Sequence, residues 1–131
     1  MGKLLAVARW AFVASLPGLI LTASVAAEFN NLKLYTDGFA KYHVSETTGL
    51  SPAELAKAAR GLVSYFNSGE EYISVIVEKD GQPFTLFNEK EVSHLKDVKA
   101  LVQLDYQALI GTAIYAGLYT GLAFFRRRRF R

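Results

Sequence analysis

His94 is the side chain in this sequence best placed for chemistry. It lies in the stretch F-N-E-K-E-V-S-H-L-K-D-V-K-A-L-V, from Phe87 to Val102, with Glu91 three residues before it and Asp97 three residues after. Imidazole changes charge near neutrality and serves as a general base or proton shuttle. On a helix, residues three apart are neighbours, so both carboxylates are candidates to orient the ring. Near a bilayer, a histidine flanked by acids suits acyl chemistry on lipid head groups. A solvated helix histidine with no chemical role fits the same residues. Most other chemistries find no residues to carry them. The chain has no cysteine, which removes thiol nucleophiles and Cys-based metal sites. There is no Gly-rich phosphate loop, no G-x-S-x-G and no H-E-x-x-H. Glu91-x-x-His94 is one copy of a helix-bundle metal motif that needs two copies and further carboxylates, so no metal and no cofactor is expected. His43 borders an aromatic stripe and reads as a surface histidine.

The element that positions His94 is a helix with a defined start. Asn88 is suited to the N-cap, and Glu91 three residues on completes a capping box. Val92, Leu95, Val98 and Val102 recur at helical spacing and give one apolar stripe. The last acid is Asp105, and from Tyr106 to Phe125 there is no charge before R-R-R-R-F-R. A single helix from Glu89 into that apolar run would set His94 about three turns above the hydrocarbon edge.

The 131 residues are 51% hydrophobic, which suggests a membrane protein. The charges are sorted by segment. Lys3 and Arg9 precede residue 28 with no acid, and five arginines follow Asp105. Twelve acids and eight Lys or Arg lie from Glu28 to Asp105, for a net −4. Basic ends around two apolar runs follow the positive-inside rule, with both termini cytoplasmic and the acidic middle outside. The basic total is therefore a matter of topology, and no nucleic-acid partner is expected.

In chain order, Trp10 to Ala27 is uncharged, and Leu4 to Ala8 extends it to the length of a membrane span. Pro17-Gly18 would kink it. The rival for this segment is a cleaved signal peptide, with Lys3 and Arg9 as its basic region and V-A-A before Glu28 as its cleavage site. Tyr35, Phe39 and Tyr42 suggest a short helix near the membrane surface or over the core. Ser51, Pro52 and Glu54 mark the start of a helix to Phe66, with a capping box, a Leu50–Leu55 staple and Leu55, Ala59, Leu62 and Phe66 on its buried face. Tyr72 to Glu78 and Pro83 to Phe87 read as a hairpin about Asp80-Gly81, with Pro83 confined to an edge. In the last apolar run, Ala113, Gly117 and Gly121 fall four apart, a ridge along which another helix can approach. Tyr115 and Tyr119 lie deep enough to need protein partners.

The stretch around H-L-K-D-V-K, preceded by T-G-L-S-P-A-E-L and L-V-S-Y-F and followed by a membrane helix, resembles the bacterial integral membrane family that includes the lipoprotein intramolecular transacylase, Lit. Order and spacing match across most of the chain. The resemblance implies an extracytoplasmic cap on membrane helices, with the active site at the cap–membrane boundary. Members of the family move the sn-2 acyl chain of a diacylglyceryl lipoprotein onto the amine of its N-terminal cysteine, without metal or cofactor, using two histidines in an aromatic-rich site. His94 falls on the histidine of the matching motif and inherits a base or proton-shuttle role, with Asp97 in support. The family has four membrane helices and this sequence shows two, resembling the N-terminal half. The second catalytic histidine is not in that context here.

The expected architecture is a membrane α-helical protein with two transmembrane helices and a small extracytoplasmic α+β cap. Residues 1-28 form transmembrane helix 1 or a signal anchor, 29-104 the cap, 105-125 transmembrane helix 2 and 126-131 a basic cytoplasmic tail. The expected location is the bacterial cell membrane. The expected partner is a membrane lipid or a bacterial lipoprotein, and a homo-oligomer can form through Ala113, Gly117 and Gly121. Two functions follow. In one, a truncated or split transacylase uses His94 as base and borrows its second histidine from another chain. In the other, a non-catalytic membrane module binds lipid or a partner protein.

Overall fold

A computed structural model describes residues 2–129. Met1, Phe130 and Arg131, and with the last two the end of the expected basic tail, lie outside the described residues. The described residues form five helices and a hairpin, in the order α1 (Gly2–Phe29), α2 (Leu32–Lys41), α3 (Val44–Thr48), α4 (Pro52–Phe66), β1 (Ile76–Lys79), β2 (Gln82–Thr85) and α5 (Glu89–Arg129). The architecture is mostly helical with one two-stranded sheet. The chain divides into two compact units, one made from its two ends up to Ala26 and from Leu104, the other from Ala27–Gln103.

The first unit contains the apolar stretches of α1 and α5, two helices long and apolar enough to cross a membrane. α1 has no buried residue, and Trp10 is 72% and Leu4 76% exposed. Water disfavours such a surface at roughly 25 cal/mol per Å², whereas lipid does not. The hydroxyls of Ser15, Thr22, Ser24, Thr112 and Thr120 all donate to carbonyls of their own helix, which satisfies them without water. α1 is one continuous helix through Pro17. The two deep tyrosines find the expected protein partners. Tyr115 donates from its hydroxyl to the Ala8 carbonyl at 2.8 Å, and Tyr119 stacks on Phe12 with ring centroids 4.5 Å apart. Ala116, between them, is buried. The expected small-residue ridge is elsewhere: Ala113 and Gly117 are exposed, and a Cβ on Gly117 or Gly121 would meet nothing within 4 Å. Within this unit the aromatic face of α5 makes these contacts.

The second unit is built around α4. Ser51 caps it by accepting from the Glu54 N–H at 3.3 Å, and Pro52 opens its first turn. The reciprocal half of the expected capping box does not form. Glu54 instead accepts from the Glu78 N–H at 2.7 Å, tying α4 to β1. The buried face is Leu55, Ala58, Ala59, Tyr65 and Phe66, with Leu62 only half-buried. Leu50, Ile73, Val75 and Val77 close the core over it. The hairpin turns on Asp80 and Gly81, both with positive φ (53° and 75°), the geometry expected of Asp-Gly in a two-residue hairpin loop. Its register pairs Ile76 with Thr85 and Lys79 with Gln82. Pro83 sits opposite Glu78, in a sheet that has no further strand among the described residues. Tyr35 and Phe39 of the aromatic stripe lie on α2 and Tyr42 is its C-cap, and Asn31 caps its start by accepting from the Leu34 N–H.

Gly61 of α4 packs closely against Val75, the residue before β1. A Cβ there would lie 2.7 Å from Val75 Cγ2. Gly61→Ala gains about 1 kcal/mol of helix propensity and forces overpacking that costs about 1–3 kcal/mol. The net expectation is a lower thermal midpoint of the purified protein, whereas Gly69→Ala, with open space around it, leaves the midpoint within a degree or two.

Candidate active site around His94

The N-terminus of α5 is fixed reciprocally. Asn88 Oδ1 accepts from the Glu91 N–H, and Glu91 Oε2 accepts from the Asn88 N–H, both at 2.9 Å. The expected capping box is therefore present in full. The helix then continues without interruption for 41 residues. Of the apolar stripe, Val102 is buried and Val92, Leu95 and Val98 are half-buried.

His94 lies on the exposed side of this helix. Phe87, Lys90, Glu91, His94 and Leu95 line an open groove of about 360 Å³. Phe87 and Leu95 supply apolar walls, Lys90 a cation and His94 the titratable ring. The arrangement can seat an apolar chain beside a proton carrier. It does not orient that carrier with an acid. The Glu91 carboxylate serves the helix cap, and among the described residues no hydrogen bond or ion pair joins His94 to Glu91 or Asp97. Asp97 is exposed, one turn further along, and does not line the groove. His43 sits apart at the start of α3 with φ 52°, its Nδ1 3.3 Å from Glu46 Oε1.

The opposite side of α5 is held by contacts that sequence patterning missed. Lys96 Nζ donates to Glu71 Oε1 at 2.5 Å and lies over the Tyr72 ring, 4.8 Å from its centroid. Lys99 Nζ donates to the Glu70 carbonyl at 2.5 Å and lies 4.4 Å from the Tyr65 centroid. Gln103 Nε2 donates to the Phe66 carbonyl at 2.8 Å. Tyr65 is buried and donates to the Glu71 carbonyl at 2.9 Å, and its burial raises its phenol above the ordinary range. The signal available in sequence was the pairing of E-E-Y with K-D-V-K, which has no fixed spacing to reveal it.

The hydrogen bond from Lys96 lowers the Glu71 carboxyl below its ordinary value, and the same bond raises the Lys96 ammonium above its own. A lowered carboxyl stabilises the fold above its unfolded pKa and loses that contribution as pH falls through the folded value. A raised ammonium stabilises below its unfolded pKa and loses that contribution as pH rises through the folded value. Protection of the amides in residues 68–73 against hydrogen exchange, corrected for intrinsic rate, is therefore expected to be greatest from about pH 5 to about pH 10 and to decline on both sides. Both side chains are open to solvent in part, Lys96 at 44% and Glu71 at 62%, so added salt should flatten that profile.

No curated protein and no solved structure matches the chain. A family model, that of the lipoprotein intramolecular transacylase Lit, matches residues 10–131. That range takes in Trp10 of the first apolar run, α4, the hairpin, the His94 groove and the second apolar run. With so much of its length matched, the chain belongs to the lipoprotein intramolecular transacylase family.

Proposed function

We propose that this chain acts in acyl transfer on membrane-held diacylglyceryl lipoproteins, with His94 as the proton-transfer group. The observation that carries the reading is the family match over residues 10–131. The groove of Phe87, Lys90, Glu91, His94 and Leu95 supports it, since it sets an exposed imidazole beside apolar walls. In the reaction, the neutral amine of the lipoprotein's N-terminal cysteine attacks the sn-2 ester carbonyl. The N–C bond forms and the ester C–O bond breaks. Imidazole accepts the proton leaving nitrogen and returns it to the departing glycerol oxygen. An amide and a free sn-2 hydroxyl result, with no redox change, and Asp97 supports the charge that develops on the ring. The sorting of charges supports a topology with residues 29-104 outside the bacterial cell membrane and both ends of the chain inside.

A reporter lipoprotein tests the reading. The chain is expressed in a bacterium that lacks N-acylating activity, and the reporter's N-terminal peptide is analysed by mass spectrometry. Migration within one molecule leaves the intact mass unchanged, so fragmentation must decide. The expected product carries an acyl chain on the cysteine nitrogen and a monoacylglyceryl thioether. A second reading, a non-catalytic membrane module that binds lipid or a partner, is favoured by one observation: neither acid beside His94 bonds to it. An unaltered diacylglyceryl peptide, with the chain confirmed in the membrane, would favour that second reading.

A further inference from the structure

His94 makes no hydrogen bond or ion pair of its own among the described residues, and its groove is open. With no bond of its own to hold the ring, the roll of α5 about its axis sets where the His94 Cβ stands over the groove. The half-buried Val92, Leu95 and Val98 and the buried Val102 restrain roll by packing. Directional restraints come from Lys96 and Lys99. Lys96 follows His94 by two residues, about 200° around the helix. Its Nζ reaches Glu71 Oε1 at 2.5 Å and the Tyr72 hydroxyl at 3.5 Å. Lys99 Nζ reaches the Glu70 carbonyl at 2.5 Å and Ser68 Oγ at 3.4 Å. Each ammonium also lies over a ring, that of Tyr72 or Tyr65. An ammonium has three donors, and these two have spent most of theirs within the fold. Lys90, which lines the groove, makes no such bond among the described residues and is the cation left for a ligand.

We propose that Lys96 and Lys99 are positioning residues that lock the roll of α5 against the Ser68–Tyr72 loop and so aim the His94 imidazole into its groove. The proposal rests on His94 as the proton-transfer group. At a side-chain radius of about 5–6 Å, a roll of about 20° moves the ring by roughly 2 Å. A misplacement of about 1 Å is enough to cost on the order of 100-fold in rate. The lysines of the H-L-K-D-V-K stretch then act through the helix and not on substrate.

The test uses the full chain in lipid nanodiscs, with histidines labelled at Cε1. The two histidines give two resonances, and His43, distant along the sequence in a different element, serves as the control. The variants are Lys96→Met, Lys99→Met, Lys96→Arg and the exchange Glu71→Lys with Lys96→Glu. The Met variants should shift or broaden the His94 resonance and leave that of His43 in place. The arginine variant and the charge exchange should restore it. On a diacylglyceryl lipopeptide, Lys96→Met should lower kcat by about 10-fold or more with KM within about threefold, and Lys96→Arg should keep kcat within about threefold. A rise in KM at constant kcat would make Lys96 a substrate cation and overturn the proposal, as would a His94 resonance indifferent to both Met variants or an exchange that restores nothing. Absence of turnover in the unmodified chain would instead defeat acyl transfer, and the resonances would still decide the lock. If a Met variant fails to fold, the exchange and the arginine variant, which keep the contact, decide it.

Discussion

Replacing His94 by alanine is expected to lower acyl migration by at least about 100-fold while leaving the protein folded and in the membrane. Positioned acid–base groups contribute on the order of 10²–10⁴ to rate, and His94 is the titratable ring of the groove. The fold should survive because the ring is exposed and bonds to nothing among the described residues. Alanine also has the higher helix propensity, by a few tenths of a kcal/mol, so the variant should be no less stable than its parent. That combination separates lost chemistry from lost structure, which most substitutions near an active site fail to do. Asp97→Asn is the matched comparison. Asp97 is exposed and makes no bond to the ring, so its effect should stay within about 10-fold, a supporting electrostatic contribution that water screens. The measurement is the fraction of reporter N-terminal peptide carrying N-acyl cysteine, at equal membrane content of each variant. Unchanged migration in His94→Ala would remove the histidine from the mechanism. A loss with Asp97→Asn as large as that with His94→Ala would mean that the two act as one unit once substrate is bound.

How far these expectations could be read from the chain depended on whether the interaction is local. The Asn88–Glu91 box, the Asp80-Gly81 turn and the unbroken helix from Glu89 are set by residues within a few positions of each other, and all three are present. The Ser51 cap was legible for the same reason. Its reciprocal partner was not, because the Glu78 N–H, 24 residues away, competes for the Glu54 carboxylate. The short helix α3 escaped notice since its start lies at His43 in the left-handed region and no side chain caps it. Glycines four apart suggested a helix contact, but Tyr115 and Tyr119 make the contacts seen with α1 residues. At the candidate site, the place of His94 on the capped helix was readable from its motif. The lysine contacts behind it were not, because they join residues 24 to 34 apart, and such pairings leave no periodicity in sequence.

Phe66→Ala is expected to be the most damaging single change in the second unit, at about 3–5 kcal/mol. The ring is 3% exposed and packs edge-on against Phe29, with centroids 5.6 Å apart, and beside Tyr65 at 5.7 Å. Its backbone carbonyl accepts from Gln103. One residue thus joins the end of α1, the end of α4 and the α5 segment that follows His94. Truncation would leave a cavity bordered by helix ends, which relax less readily than a loop, so the upper part of the range is the expectation. A unit of this size has little stability to spare, since small domains bury a smaller share of their surface and marginal stability is on the order of 0.1 kcal/mol per residue. Phe66→Leu keeps most of the volume and should cost less than about 2 kcal/mol. Hydrogen exchange followed by mass spectrometry separates the outcomes by segment. In Phe66→Ala, amides of α4, the hairpin and the first turns of α5 should lose protection together, while those of the apolar runs of α1 and α5 keep theirs. Loss confined to the last turn of α4 would mean that the core is held mainly by Leu55, Ala59, Val75 just before β1 and Val77 within it. Uniform loss, reaching the apolar runs as well, would mean that the two units unfold as one.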